Sequence, residues 1–256
     1  LLFQRGGGYF DKDGAVRFDD ATAVATMLWY VPLVAGPERV GNFLPGGNEI
    51  MAQALESGYF LCLLMPDWRS RLLLENVVPR MSGLWAMMPL PAATRGGRRT
   101  STQGGTMIGV TRHSRQPVLA RELALHLYYD RAALPAHFAN TNILPPLKEA
   151  WSDAEFDRPR AYWSGQAIGR IYANLAEETP PQVASPFVVP AKTKLAEALI
   201  ACEQRYKREG AAGFREFVEQ TLHRCAADVR RLIERDPFRR EEEKRITNGT
   251  NGRMAR

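Results

Sequence analysis

The 256-residue sequence is 45% hydrophobic, 24% charged and 9% aromatic, which is typical of a folded protein with one large domain or two smaller ones and excludes a disordered chain. No uninterrupted apolar run approaches the length of about 20 residues that crosses a bilayer. The formal charge of +6 arises mostly in residues 192–256, where basic and acidic residues are interspersed. That pattern indicates solvated helix faces and argues against a nucleic-acid partner.

The chain opens with neither an initiator Met nor a signal-peptide pattern, and we expect its true start to lie upstream. Three cysteines, Cys62, Cys202 and Cys225, stand among apolar neighbours, which predicts small, buried hydrophobic side chains. A disulfide between Cys202 and Cys225 is left open, because it needs their helices to pack antiparallel at a suitable distance.

The first part of the chain alternates helical and strand-like patterns. Turn residues between apolar pairs predict a hairpin over residues 8–18. Asp19 is the predicted N-cap of an amphipathic helix over residues 20–35. A second helix over residues 48–57 precedes the apolar run 59–65, which is typical of a strand buried on both faces.

Two shorter strand patterns follow at residues 84–88 and 106–111, separated by a polar, Gly-rich segment. Helices are predicted over residues 117–130 and 166–177, and two long helices follow a Pro-rich connection. Strands that alternate with helices predict an α/β fold with a helical C-terminal end.

Three short motifs carry a family resemblance. Met-Pro-Asp-Trp-Arg at residues 65–69 is followed by Met-Pro-Leu-Pro at 88–91; Arg-Arg-Thr-Ser-Thr-Gln-Gly-Gly-Thr begins at residue 98; and Tyr-Trp-Ser-Gly-Gln occupies residues 162–166. In this order and spacing, the sequence up to about residue 235 resembles the type 1 family of extracellular solute-binding proteins. It is similar to the subgroup that serves multiple-sugar and arabinose-oligosaccharide importers.

The resemblance implies a periplasmic-binding-protein-like type II fold, in which two α/β lobes close on a ligand. Residues 1–95 would belong to the second lobe, 96–150 to the first lobe, and 151–235 would return to the second lobe. The N-terminal part of the first lobe would be missing. Residues 236–256 are charged and rich in Asn and Gly, which predicts a disordered tail or a linker into a further module.

The resemblance also implies a set of ligand-binding residues, of which Trp68 is the first. A rigid aromatic ring can cover the apolar C–H face of a sugar; the alternative is that Trp68 fills the core. Asp67 and Arg69 offer an acceptor and a planar fork of donors, or else form a surface ion pair.

Gly104, Gly105 and Thr106 lie where a loop enters a predicted strand, and the glycines would let backbone amides approach a ligand. Related proteins carry an aromatic residue where this chain has Gln103; an ordinary tight turn is the alternative. Trp163 and Gln166 open a predicted helix and complete the set. Gln166 can donate and accept hydrogen bonds, whereas Trp163 is equally suited to packing between lobes.

The resemblance implies a non-catalytic, monomeric sugar-binding protein that acts outside the cytoplasm and delivers its ligand to the membrane permease of an ABC importer. A membrane anchor at the missing N-terminus stays open. The histidines show no metal-ligand spacing, and we predict no cofactor, no metal and no enzymatic activity. The alternatives are a carbohydrate-active enzyme, which would need two opposed carboxylates, and a sugar-sensing binding module.

Overall fold

The structure is a computed structural model, and it describes residues 1–44, 46–103, 105 and 107–237. Its helices, in chain order, are α1 (Ala21–Ala35), α2 (Asn48–Glu56), α3 (Asp67–Arg69), α4 (Pro117–Tyr129), α5 (Leu134–Thr141), α6 (Ile168–Ala176), α7 (Val188–Glu209) and α8 (Phe214–Glu234). A π-helical turn, Ser70–Glu75, directly follows α3. Short 3-10 turns occur at Pro79–Met81, Lys148–Ser152, Ala154–Asp157 and Ala161–Trp163.

The chain divides into two compact units. The first unit comprises Leu1–Asn42 and Pro181–Arg256, and the second unit comprises Phe43–Pro180. The lobe boundaries predicted after residues 95 and 150 differ from the boundaries of these two units, and as boundaries of lobes they stay predictions.

Three helices, α1, α7 and α8, build the core of the first unit around Phe18, Val31, Val218 and Leu222, each fully buried. Gly210 and Gly213 adopt positive φ angles of 64° and 62° in the short turn between α7 and α8, a conformation that glycine adopts without a steric penalty. The turn lets the two long helices fold back on each other, so that α7 buries Ala198 and Cys202 and α8 buries Val218, Leu222 and Val229.

Asp20, not the predicted Asp19, caps α1. Its Oδ1 accepts a hydrogen bond from Ala23 N at 2.8 Å, which satisfies one of the free amides of the first turn. Asp19 binds α8 instead, where its carboxylate accepts hydrogen bonds from both terminal nitrogens of Arg230 at 2.9 and 2.7 Å. The one-residue error matters, because Asp19 links the start of α1 to the C-terminal helix.

The predicted N-terminal hairpin is present as a tight turn closed by one antiparallel bridge between Phe10 and Val16. Asp11 Oδ1 accepts hydrogen bonds from the backbone of Asp13 and Ala15, both at 2.9 Å, an arrangement typical of Asp in turns.

The cysteines differ in environment. Cys202 and Cys225 are buried in the first unit, as predicted, and both thiols are free. Burial, with a smaller effect of Cys225 and Glu203, raises the pKa of the Cys202 thiol to about 11. Cys62 is exposed, so the prediction of three buried cysteines is wrong for this residue, which lies in a run that does not form a buried strand.

The second unit packs α2, the turn 70–75, α5, α6 and the connecting 3-10 turns around one apolar cluster. Phe138 and Phe156 stack with their ring centroids 4.6 Å apart. The remaining buried members of this cluster are Met51, Leu55, Leu74, Val78, Trp163 and Ile168.

None of the three predicted strands forms among the described residues, where β-structure is limited to two isolated bridges. Residues 59–65 are irregular, and Tyr59, Leu61 and Leu64 are exposed, whereas a strand in a parallel sheet is covered on both faces. A strand forms only when a neighbour pairs with its backbone, and no described segment forms a β-bridge with this run. The α/β two-lobe fold therefore stays a prediction.

Helix α4 is well formed but has no buried residue. Val118, Leu119 and Leu123 on this helix are each more than half exposed. With residues 108–111 and Ser114, the helix lines an apolar groove of about 230 Å³. In the part of the chain that the structure describes, no helix combines the length and the apolar character needed to span a membrane.

Candidate functional site

The turn that contains Asp67, Trp68 and Arg69 is held at two points. Asp67 Oδ1 accepts a hydrogen bond from Trp68 N at 2.8 Å, which fixes the first turn of α3. Asp67 Oδ2 accepts from Leu144 N at 2.9 Å, which ties the turn to the segment after α5. Both carboxylate oxygens therefore position backbone, and the short α3 cannot shift independently of residue 144.

Trp68 and Arg69 form the surface of this turn. Both side chains are half-buried, and Arg69 Cζ lies 5.1 Å from the centroid of the Trp68 ring, within the range of a cation–π contact. Arg69 Nε is buried and has no hydrogen-bond partner among the described residues. An indole beside an incompletely satisfied guanidinium can contact both the C–H face and the hydroxyls of a sugar.

The carboxamide of Gln166 forms hydrogen bonds with the backbone of the protein. Its Oε1 accepts a hydrogen bond from Met87 N at 2.6 Å, and its Nε2 donates to Met87 O at 2.9 Å. This pair of bonds holds the backbone of Met87 in the way that a neighbouring strand would. One amide hydrogen and one lone pair of Gln166 stay available for a ligand, whose binding stays a prediction.

Trp163 lies in the core of the second unit, with 2% of its surface exposed. Its indole N–H donates to Glu75 Oε1 at 2.8 Å, and its ring meets that of Tyr162 edge to face at 5.3 Å. An indole enclosed in this way presents no face to a ligand. A ligand role for Trp163, which stays a prediction, would need its neighbours to move.

The Gly-rich part of the predicted site is described only in part. Gly104 and Thr106 lie outside the described residues. Gly105 is exposed, has a φ of 146°, and none of the described atoms lies within 4 Å of the position that a Cβ would take. Gln103 is exposed as well. Glycine at residue 105 therefore suits the backbone conformation, whatever its role in ligand binding.

A polar cluster beneath the Trp68 turn, with Ser70 and Asn142 buried, was not predicted from the sequence. It consists of Ser70, Glu75 and Asn142, whose side chains are connected by hydrogen bonds of 2.6 to 3.0 Å. Tyr172 lies against it: burial raises the pKa of the Tyr172 hydroxyl, and a hydrogen bond with Ser70 offsets part of that effect. One signal in the sequence could have revealed Asn142, because asparagine directly after a helix often adopts the left-handed conformation.

The Tyr162 hydroxyl gives this region a pH dependence. It donates to Val78 O at 3.0 Å, and burial, with a smaller effect of the Glu75 charge, raises the pKa of Tyr162 to about 12. An unfolded tyrosine ionises near pH 10, so the stabilisation is complete below about pH 10 and is lost as the pH rises towards the folded value.

We therefore expect the melting temperature to fall between about pH 10 and pH 12, and to fall less steeply in Tyr162→Phe, which has no ionisable hydroxyl. Circular dichroism melts at closely spaced pH values would measure both slopes. Tyr129→Phe is the control, since Tyr129 is 60% exposed. Equal slopes for wild type and Tyr162→Phe would contradict the assignment.

No described group of three or more His, Cys, Asp or Glu side chains has an arrangement that could hold a metal ion. Two histidines contact carboxylates, His126 with Asp130 at 2.8 Å and His223 with Asp19 at 3.2 Å. Neither pair adjoins Trp68 in the chain. The first pair lies at the C-terminal end of α4. The second pair involves the same Asp19 carboxylate that binds Arg230 of α8.

Comparison with known proteins gives two curated relatives. The chain is 24% identical over 183 residues to an arabinooligosaccharide-binding protein of Halalkalibacterium halodurans, a match that covers 70% of this chain and 41% of the relative. It is 26% identical over 191 residues to the arabinooligosaccharide-binding protein of Bacillus subtilis, covering 71% of this chain and 43% of the relative. This chain is similar to sugar-binding proteins.

The similarity has defined bounds. The chain spans about two fifths of the length of the curated relatives that it matches. No family model matches the sequence, and no solved structure does. Both relatives are named as binding proteins and neither as an enzyme, which agrees with the prediction of a non-catalytic protein.

Proposed function

We propose that this chain is part of an extracytoplasmic solute-binding protein that captures an arabinose-containing oligosaccharide for an ABC-type importer. The observation that carries the proposal is the similarity to two arabinooligosaccharide-binding proteins over about 70% of the chain. The ligand would be released to permease subunits in the membrane, and the protein would act as a monomer without a cofactor or a nucleic-acid partner.

The Trp68 turn is the part of the chain that we assign to sugar contact. A pyranose or furanose ring is apolar on its C–H face and polar at its edge. The half-buried Trp68 ring provides a flat apolar surface, and Arg69, 5.1 Å from it, provides donors at the rim. Asp67 already binds two backbone amides, so its proposed role is to hold the turn.

The proposed type II two-lobe fold accounts for two exposed apolar surfaces. The first is the run 59–65, with Leu61 82% exposed, and the second is the face of α4 with Val118 and Leu119. Contiguous exposed apolar surface usually marks a contact with other protein. In a two-lobe clamp these surfaces would be covered by strands and helices of the lobes.

Calorimetric titration of the full-length gene product with arabinotriose, xylotriose and maltotriose would test the function. We expect heat with arabinotriose, and an affinity at least about tenfold lower in Trp68→Ala, because the stacking surface is lost. Trp29→Ala is the matched control: Trp29 is 49% exposed in the first unit and should leave the affinity unchanged.

Two results would contradict the proposal in different ways. Absence of heat with every sugar, together with an unchanged radius of gyration in X-ray scattering, would exclude a sugar-binding clamp. Wild-type affinity in Trp68→Ala would retain sugar binding and remove the Trp68 turn from the site.

A further inference from the structure

Asn142 is a buried polar residue of the second unit that the proposed site leaves without a role. Its side chain is 1% exposed, and its backbone is left-handed, with a φ of 60°. Its Nδ2 donates to Ser70 Oγ at 3.0 Å and to Glu75 Oε1 at 2.6 Å. Both amide hydrogens are therefore engaged, and both go to the helical turn that follows α3.

The hydrogen bonds continue from Asn142 to Trp68. Ser70 Oγ accepts from Asn142 and donates to Asp67 O at 2.6 Å. Two residues after Asn142, Leu144 N donates to Asp67 Oδ2 at 2.9 Å. Residues 142–144 thus reach Asp67 in two ways, through Ser70 at its backbone carbonyl and directly at its side chain. Asp67 Oδ1 in turn accepts from Trp68 N.

Glu75, the second acceptor of the Asn142 amide, is itself held by further hydrogen bonds. Its Oε1 accepts from Trp163 Nε1 at 2.8 Å as well as from Asn142. Its Oε2 accepts from Arg71 at 3.1 Å, and the same Arg71 nitrogen donates to Ala139 O. The Asn142 amide is therefore held by a carboxylate that core residues restrain.

We propose that Asn142 is a positioning residue for Trp68: it sets the orientation of the indole for sugar stacking by holding Ser70 and, through it, Asp67. The inference rests on the proposed sugar-binding function for its purpose, but not for its geometry. Glycine suffices at a helix end that needs only a left-handed residue. A buried amide that is hydrogen-bonded to both Glu75 and Ser70 does more, because it specifies one arrangement of the chain.

Asn142→Gly distinguishes the contribution of the side-chain amide from that of the left-handed backbone conformation. Glycine adopts a φ of 60° without strain, so the turn after α5 can persist while both side-chain hydrogen bonds are lost. We expect the affinity for arabinotriose to fall about tenfold, since small misplacements of a binding group cost affinity.

The direct readout is the orientation of Trp68, followed by fluorine NMR of the full-length protein labelled with 5-fluorotryptophan. The Trp68 signal is assigned from its absence in Trp68→Phe. We expect this signal to shift or broaden in Asn142→Gly. Asn140→Ala is the matched control, because the Asn140 amide is exposed and, within the described residues, donates to Ala136 O of its own helix α5. It should leave the signal and the affinity at wild-type values.

Each outcome decides a separate question. A lower melting temperature with an unchanged Trp68 signal would overturn the positioning role and leave Asn142 as a structural residue. A changed Trp68 signal in a protein whose wild type binds no sugar would support the positioning role and reject the sugar-binding function. If Asn142→Gly does not fold, Ser70→Ala breaks the same connection to Asp67 and is judged by the same signal.

Discussion

Trp163→Ala should lower the free energy of unfolding of the second unit by about 3–5 kcal/mol, the usual cost of removing a large buried aromatic side chain. The ring is 2% exposed and belongs to the apolar cluster of this unit. The substitution also removes the donor at 2.8 Å from Glu75 Oε1, which leaves a half-buried carboxylate with one partner fewer.

Trp68→Ala is the variant to compare with Trp163→Ala, because it also deletes a tryptophan side chain, but from a half-buried position. We expect it to cost about 1 kcal/mol or less in unfolding free energy, while it lowers sugar affinity. Urea unfolding would give the two values, and amide hydrogen exchange in α6 and α8 would show that the Trp163→Ala effect is confined to the second unit. Equal unfolding free energies for the two variants would show that Trp163 does not belong to the core.

The helices were predictable because their signals are local. The apolar periodicity of α1, α2, α4, α6 and the long C-terminal pair repeats every three or four residues, and the predicted bounds agree with the structure to within two residues for α1, α2, α4 and α6. The cap of α1 was placed one residue early, because two adjacent aspartates have the same local chemistry. Their contacts in the folded chain distinguish them: Asp19 binds Arg230, 211 residues along the chain, and also contacts His223.

Strands lack this local character. The run 59–65 has the composition of a buried strand, yet its conformation depends on whether another segment pairs with it. No described segment does so. Tyr59, Leu61 and Leu64 are exposed, whereas Phe60, Leu63 and Met65 pack against the apolar cluster of the second unit. The composition of the run predicts that it must be covered by other residues, but composition does not identify the segment that would pair with it.

In the candidate site, too, local features were predictable from the sequence and long-range contacts were not. The turn at Asp67, Trp68 and Arg69 was recognisable, because proline and polar residues follow an apolar run. The roles within it were less so: Gln166 pairs with the backbone of Met87, 79 residues away, and Glu75 binds Trp163, 88 residues away. Contacts of that separation leave no periodic pattern, so the hydrogen bond between Asn142 and Glu75 emerges only from the folded arrangement.

Gly169→Ala is expected to destabilise the second unit, although alanine is the better helix former. A Cβ at residue 169 in α6 would lie 2.8 Å from both Cα and O of Phe156, and 2.9 Å from Cε1 of Phe138. Alanine gains about 1 kcal/mol in helix propensity, but overpacking of a well-filled core costs about 1–3 kcal/mol.

The steric effect should exceed the propensity gain here, because two of the three contacts are with backbone atoms that cannot rotate away. We expect a net loss of about 1–2 kcal/mol in unfolding free energy, measured by urea denaturation. Gly109→Ala is the control: none of the described atoms lies within 4 Å of the position its Cβ would take, so the change should stay within about 0.5 kcal/mol. A more stable Gly169→Ala would mean that α6 stands farther from the Phe156 backbone than these distances require.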